Sequence, residues 1–170
     1  MDVTFTCDNE APGIAAGPEI VSHPLLHLHY ISCSLIAADT AQTTLESLVH
    51  QSRARNLSIG VTGSLLFAQN QFSQILEGPE SAVSLVMASI LQDHRHTDCV
   101  VIEECAIETR RFQGWSMAYS GASAFVAQSV TRALAGARSG SKRDIRRLLR
   151  LMLEFAAQPE HPAVASPRPM

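Results

Sequence analysis

The chain has 170 residues, 46% hydrophobic and 17% charged, with a net charge of −3. That composition suits one globular domain with enough apolar matter for a core, and it argues against a general nucleic-acid binder. Seven of the 13 Lys and Arg residues nevertheless crowd between Arg132 and Arg150.

Residues 1–23 carry Pro12, Pro18 and scattered glycines without periodicity, which reads as a disordered leader. They have neither a basic start nor a continuous apolar run, so they do not form a signal peptide. The proline-rich residues 158–170 read as a disordered tail. No run of about 18 apolar residues occurs, so no membrane span is expected. Cys7, Cys33, Cys99 and Cys105 form no CxxC pair and no zinc-ligand cluster. The expectation is a cytoplasmic protein with reduced thiols and no metal.

Leu25 to Cys33 (LLHLHYISC) reads as a strand, with Leu28, Tyr30 and Ser32 on one face and His27, His29, Ile31 and Cys33 on the other. A helix is expected to open at Thr43, with Glu46 completing a capping box. Its inward stripe is Leu45, Leu48, Val49, Ser52 and Asn56, apolar at first and polar at the end. Ser52 and Asn56 therefore point towards the core and need partners. Gly60 and Gly63 bracket the entry to a strand over 61–68, Gln69-Asn70 makes a hairpin turn, and 71–77 returns with Phe72, Gln74 and Leu76 on one face. Gly78-Pro79 starts a second helix with the stripe Val83, Val86, Met87 and Ile90. That helix runs into the polar corner Asp93-His94-Arg95-His96.

A strand over 99–106 and a short one over 115–119 complete the order β-α-β-β-α-β-β. This predicts a ferredoxin-like α+β sandwich. Two further helices follow, over 122–137 and after Ser141, the second carrying Ile145, Leu148, Leu149 and Met152 as its apolar stripe. The expected division is a core over 24–121 and a C-terminal helical cap over 122–157.

Asn56 and Gln74 are amides where packing alone would place apolar side chains. An amide donates and accepts at once, which suits a planar heterocycle with alternating carbonyls and ring nitrogens. Each also has a plainer reading. Asn56 would serve as a helix C-cap, and Tyr30 in a half-buried strand is ordinary core. Gln74 is harder to dismiss, since an unsatisfied buried amide costs about 1–3 kcal/mol. His94 and His96 have no third ligand nearby in sequence and make no metal site. Arg143, Arg146, Arg147 and Arg150 form a stripe that reads as a solvated helix face, with contact to an acidic partner or neighbouring subunit as the alternative.

Taken together, Tyr30, RARN at 53–56, GVTG at 60–63, FSQILEG at 72–78, DHRH at 93–96 and RRFQGWSM at 110–117 resemble the BLUF domains, blue-light receptors that use FAD. The resemblance covers about residues 25–120. It implies FAD between the two helices, Asn56 on the C4 carbonyl and N3 edge of the ring, and Gln74 bonded to both the flavin and Tyr30. Ser52, Arg95 and His96 match positions that line or border the pocket. Arg55 stands where some relatives carry a histidine against the ring. Trp115 and Met117 match last-strand positions that exchange places during signalling.

The implied activity is photochemical and not enzymatic. Excited flavin oxidises Tyr30, electron and proton leave together by way of Gln74, and a rearranged hydrogen-bond network shifts the absorption to the red. The expected protein is a short stand-alone receptor, a homo-oligomer that signals to a separate effector, with neither nucleic acid nor membrane as partner. The alternative is a light-insensitive ferredoxin-like interaction module. A dark flavoenzyme ranks last, because no GxGxxG fingerprint is present.

Overall fold

Alternating burial builds the sheet. Strand β1 (Leu25–Ser34) sends Leu28 and Tyr30 to one face and Ile31 to the other, all three buried. It pairs antiparallel with β3 (Gln71–Pro79) on one side and with β4 (His96–Ile107) on the other. Strand β2 (Thr62–Ala68) joins β3 through the turn at Gln69 and Asn70, whose φ values of 50° and 58° are those of a two-residue hairpin turn. The computed structural model describes residues 24–113, 115–120 and 124–157, the stretches 115–120 and 124–127 by backbone alone. The expected leader and tail lie outside the described residues.

The strand order is β4-β1-β3-β2-β5, with β5 (Trp115–Ser120) added parallel to β2 at the far edge. The first four strands and helices α1 (Ala41–Ser58) and α2 (Glu80–Leu91) make the expected ferredoxin-like unit. Leu45 and Leu48 of α1 pack on Leu65 and Phe72, and Val83, Val86 and Met87 of α2 on Leu28, Tyr30 and Leu76. The opposite face is covered by α3 (Ala124–Arg138) and α4 (Lys142–Ala156), whose Val130, Leu134, Leu148 and Met152 meet Ile31, Leu66 and Ile75. No helix among the described residues is long and apolar enough to cross a membrane.

The expected reduced thiols hold for Cys33 and Cys99, but Cys105 is disulfide-bonded. Three local expectations also shift. Helix α1 begins at Ala41, so Thr43 already lies inside its first turn and donates to the Thr40 carbonyl, while Glu46 accepts from Gln42. The capping box therefore does not form. Pro79 is the N-cap of α2 and closes β3. Strand β4 starts at His96, drawing the end of the polar corner into the sheet. The Ser141 cap does form, with its hydroxyl accepting from the Asp144 N–H.

Gly63 has φ 153°, and a Cβ there would overlap the Ile75 carbonyl of the neighbouring strand. Only glycine lets β2 lie this close to β3 at that point.

Candidate functional site

Between helices α1 and α2, over strands β2 and β3, lies a cleft of about 170 Å³. Its floor is Leu65 and Gln74. Leu48, Gln51, Ser52, Arg55 and Asn56 come from α1, Val86, Ser89 and Ile90 from α2, and Asp93, Arg95 and His96 from the corner that follows. Six of the residues singled out in the sequence therefore converge: Ser52, Arg55, Asn56, Gln74, Arg95 and His96. Tyr30 lies behind Gln74, fully buried.

Tyr30 and Gln74 are direct partners in the β1–β3 ladder, and the Tyr30 hydroxyl donates to Gln74 Oε1. Burial pushes the phenol pKa well above its ordinary 10, so Tyr30 is a neutral donor. With Oε1 engaged by Tyr30, the NH₂ group is the donor that Gln74 can offer to the cleft it lines. Asn56 is 3% exposed, and its backbone carbonyl accepts from the Val61 N–H at 2.8 Å. That bond anchors the residue in the α1–β2 turn. Its side-chain amide has no hydrogen bond among the described residues.

His96 is held by its Nδ1, 2.8 Å from Ser32 Oγ. Its ring stacks obliquely on Phe72 at 4.4 Å and stands edge-on to Tyr30 at 6.3 Å. Burial lowers its pKa below 6.5, which keeps it uncharged at neutral pH. Arg95 folds back on Asp93, with Nε 2.9 Å from Oδ1. That bond brings the Asp93 carboxyl down to about 2.

Gln51, Ser89 and the carboxylate of Asp93 also line the cleft, although the sequence reading gave them no role there. Arg55 Nη1 donates to Ser89 Oγ at 3.1 Å and bridges the two helices across the opening. Ser89 precedes the last apolar residue of the α2 stripe, and a small polar residue at such a position is the only signal the sequence offers.

Trp115 and Met117 belong to β5, and their side chains fall outside the described part. The ladder still places them: Met117 pairs with Leu65, which pairs with Gln74, which pairs with Tyr30. Met117 is thus two strand spacings, about 10 Å, from Gln74 along one row of the sheet.

Two inward amides, a neutral imidazole and aliphatic walls fit a flat heterocycle whose edge alternates carbonyl and N–H groups. Among the described residues no group of side chains could hold a metal ion. The fold and the cleft define a binding domain for such a ring. The chain belongs to the BLUF family, sensors of blue light using FAD, whose model matches residues 25–118.

It is 30% identical over 109 residues to the photoactivated adenylate cyclase subunit alpha of Euglena gracilis, a match covering 64% of this chain and 11% of that protein. It is 38% identical over 79 residues to the blue light- and temperature-regulated antirepressor BluF of Escherichia coli K12, covering 46% and 20%. Among solved structures, the dark state of the BLUF protein BlrB superposes with a TM-score of 0.60 at 27% identity, over 77% of this chain and 96% of that one. The chain spans about a tenth of the length of the cyclase subunits it matches.

Proposed function

We propose that this blue-light sensor binds FAD without a covalent bond in the α1–α2 cleft and that Tyr30 and Gln74 carry its photochemistry. Asn56 would meet the carbonyl and imide edge of the ring, and the Gln74 NH₂ its central nitrogen and neighbouring carbonyl. Ser52, Arg55, Arg95 and His96 would border it. When bound and excited, the flavin supplies a strong one-electron oxidant. Tyr30 would supply the electron, and its proton would move from Oη to Gln74 Oε1, the acceptor already in place, as the Gln74 amide gives up an N–H proton on the cleft side. Rotation or tautomerisation of the Gln74 amide then changes which hydrogen bond it offers into the cleft. The hydrogen bond between Tyr30 and Gln74 is the observation that carries this reading.

In this reading Trp115 and Met117 pass the change outward along β5. Residues 24–121 form the sensor, and 122–157 form a cap that reads it from the far face. Output goes to a separate effector or through a changed homo-oligomer in the cytoplasm, and the chain catalyses no turnover of its own. Packing of α4 against the sheet beneath Gln74 supports that route, since Met152 lies 3.7 Å from the Ser73 hydroxyl of β3.

The test is the visible spectrum of purified protein, reconstituted with FAD or with FMN, before and after blue illumination. A flavin band that moves slightly to the red and returns in darkness supports the proposal. A band that only bleaches, or a protein that takes up no flavin, overturns it.

A further inference from the structure

On the face of the sheet away from the cleft, His27 lies between two carboxylates. Its Nδ1 is 2.8 Å from Glu77 Oε1 and its Nε2 is 3.5 Å from Glu103 Oε2, with His27 and Glu77 fully buried. A neutral imidazole has one N–H and can donate in one direction only. A carboxylate oxygen beside each nitrogen favours the imidazolium over the neutral ring. Burial opposes that charge, but the nearby carboxylates of Glu103 and Glu77, the second at hydrogen-bond distance, outweigh it and raise the His27 pKa above 6.5. The other ionisable groups near it among the described residues are Arg111 and His29, and burial lowers the latter to about 3.

The second oxygen of Glu77 does different work. Oε2 accepts the backbone N–H of Arg111 at 2.8 Å and of Phe112 at 3.0 Å. Arg110 reaches back to the same end of the sheet, donating to the Glu77 carbonyl, to Thr62 Oγ1 at 2.8 Å and to the Gly60 carbonyl at 2.6 Å. Residues 110–112 are therefore pinned across the sheet end, within the segment that carries the chain from edge strand β4 to the opposite edge. Trp115 opens β5 three residues after Phe112.

We propose that Glu77, paired with the His27 imidazolium, is a positioning residue that tethers the β4–β5 crossover and so fixes the register of Trp115 beside Gly63 and of Met117 beside Leu65. It acts from the reverse side of the ladder that carries Tyr30 and Gln74, three residues along each strand. The tether rests on the photoreceptor reading only for its optical consequence. A histidine whose folded pKa is raised stabilises fully below its unfolded value, and the contribution fades as pH rises through the folded one. The tether thus loosens on the alkaline side of pH 6.5.

The experiment compares flavin-loaded full-length protein with Glu77→Gln, His27→Asn and the exposed control Glu104→Gln. Amide hydrogen exchange at Arg111 and Phe112 is followed in darkness, and dark recovery after blue light is followed from about pH 6 to pH 9. Losing a charged acceptor is expected to speed exchange at those two amides about tenfold or more in Glu77→Gln, with no change in Glu104→Gln. Recovery is expected to vary with pH in the parent and to flatten in His27→Asn. Unchanged exchange in the folded variants overturns the tether.

If Glu77→Gln does not fold, the nitrogen chemical shifts of His27 in the unmodified protein decide. Both nitrogens protonated at pH 7 support the tether, and a single neutral tautomer overturns it. A parent protein with no light-induced shift overturns the photoreceptor reading instead, and the exchange result then decides the tether alone.

Discussion

Tyr30 and Gln74 stand directly opposite each other on β1 and β3, and the phenol has its hydrogen-bond acceptor in the Gln74 side chain. Burial holds the phenol protonated. Tyr30→Phe removes the proton and the electron donor while preserving the ring's packing against the α2 cluster. The variant is expected to bind flavin, to show no recoverable red shift, and to lose less than about 1.5 kcal/mol of stability, because Gln74 also borders the cleft. Difference spectra and thermal unfolding check both parts, and a normal light response would remove Tyr30 from the mechanism.

Asn56 presents a buried amide to the cleft with no partner among the described residues. In Asn56→Ala the flavin edge loses one or two hydrogen bonds, and affinity is expected to fall about tenfold, with the fold intact. Fluorescence titration of the unloaded protein with FAD measures this directly. Equal affinity would assign Asn56 to the α1–β2 turn alone.

The Asp93–Arg95 pair shapes the cleft's outer wall and has a defined acid limit. A carboxylate lowered from 3.8 to about 2 contributes stability above its unfolded pKa and loses it as pH falls through the folded one. The pair is partly exposed, so its share is expected to stay below about 1 kcal/mol. Melting temperatures of the parent should drop more steeply between about pH 4 and pH 2 than those of Asp93→Asn. Parallel curves for the two proteins would count against the pairing.

Gly63 sits between two strands, with a Cβ excluded by the Ile75 carbonyl on one side and Trp115 as its ladder partner on the other. Gly63→Ala is expected to lower unfolding stability by about 2 kcal/mol or more and to disturb β5 first. Chemical denaturation with Trp115 fluorescence tests this, since Trp115 is the single tryptophan of the chain. A variant as stable as the parent would show that β2 can shift to make room.

Much of this was legible in the sequence because short-range patterns carried it. The alternation around Tyr30, the turn at Gln69-Asn70 and the apolar-to-polar stripe ending at Asn56 each encode a local geometry, and together they bring the cleft's main residues to one place. What was not legible depends on long-range partners. A short strand such as Trp115–Ser120 carries no mark of the strand it will join or of its direction. Its parallel place beside β2 goes with Arg110 and Glu77 holding the crossover. The buried His27 and Glu77 looked like polar residues on separate strands, and only the register makes them a pair. Thr43 shows the reverse error: a capping pattern was present, but the helix had already begun.

The most direct test of the central claim is the light-minus-dark spectrum of Gln74→Leu beside that of the parent. Leucine keeps the volume of the cleft floor but can neither accept from Tyr30 nor donate to the ring. The account predicts that the variant stays yellow with bound flavin and shows no recoverable red shift under blue light, while the parent shows one. A shift of the same size in both proteins would contradict the bridge through Gln74.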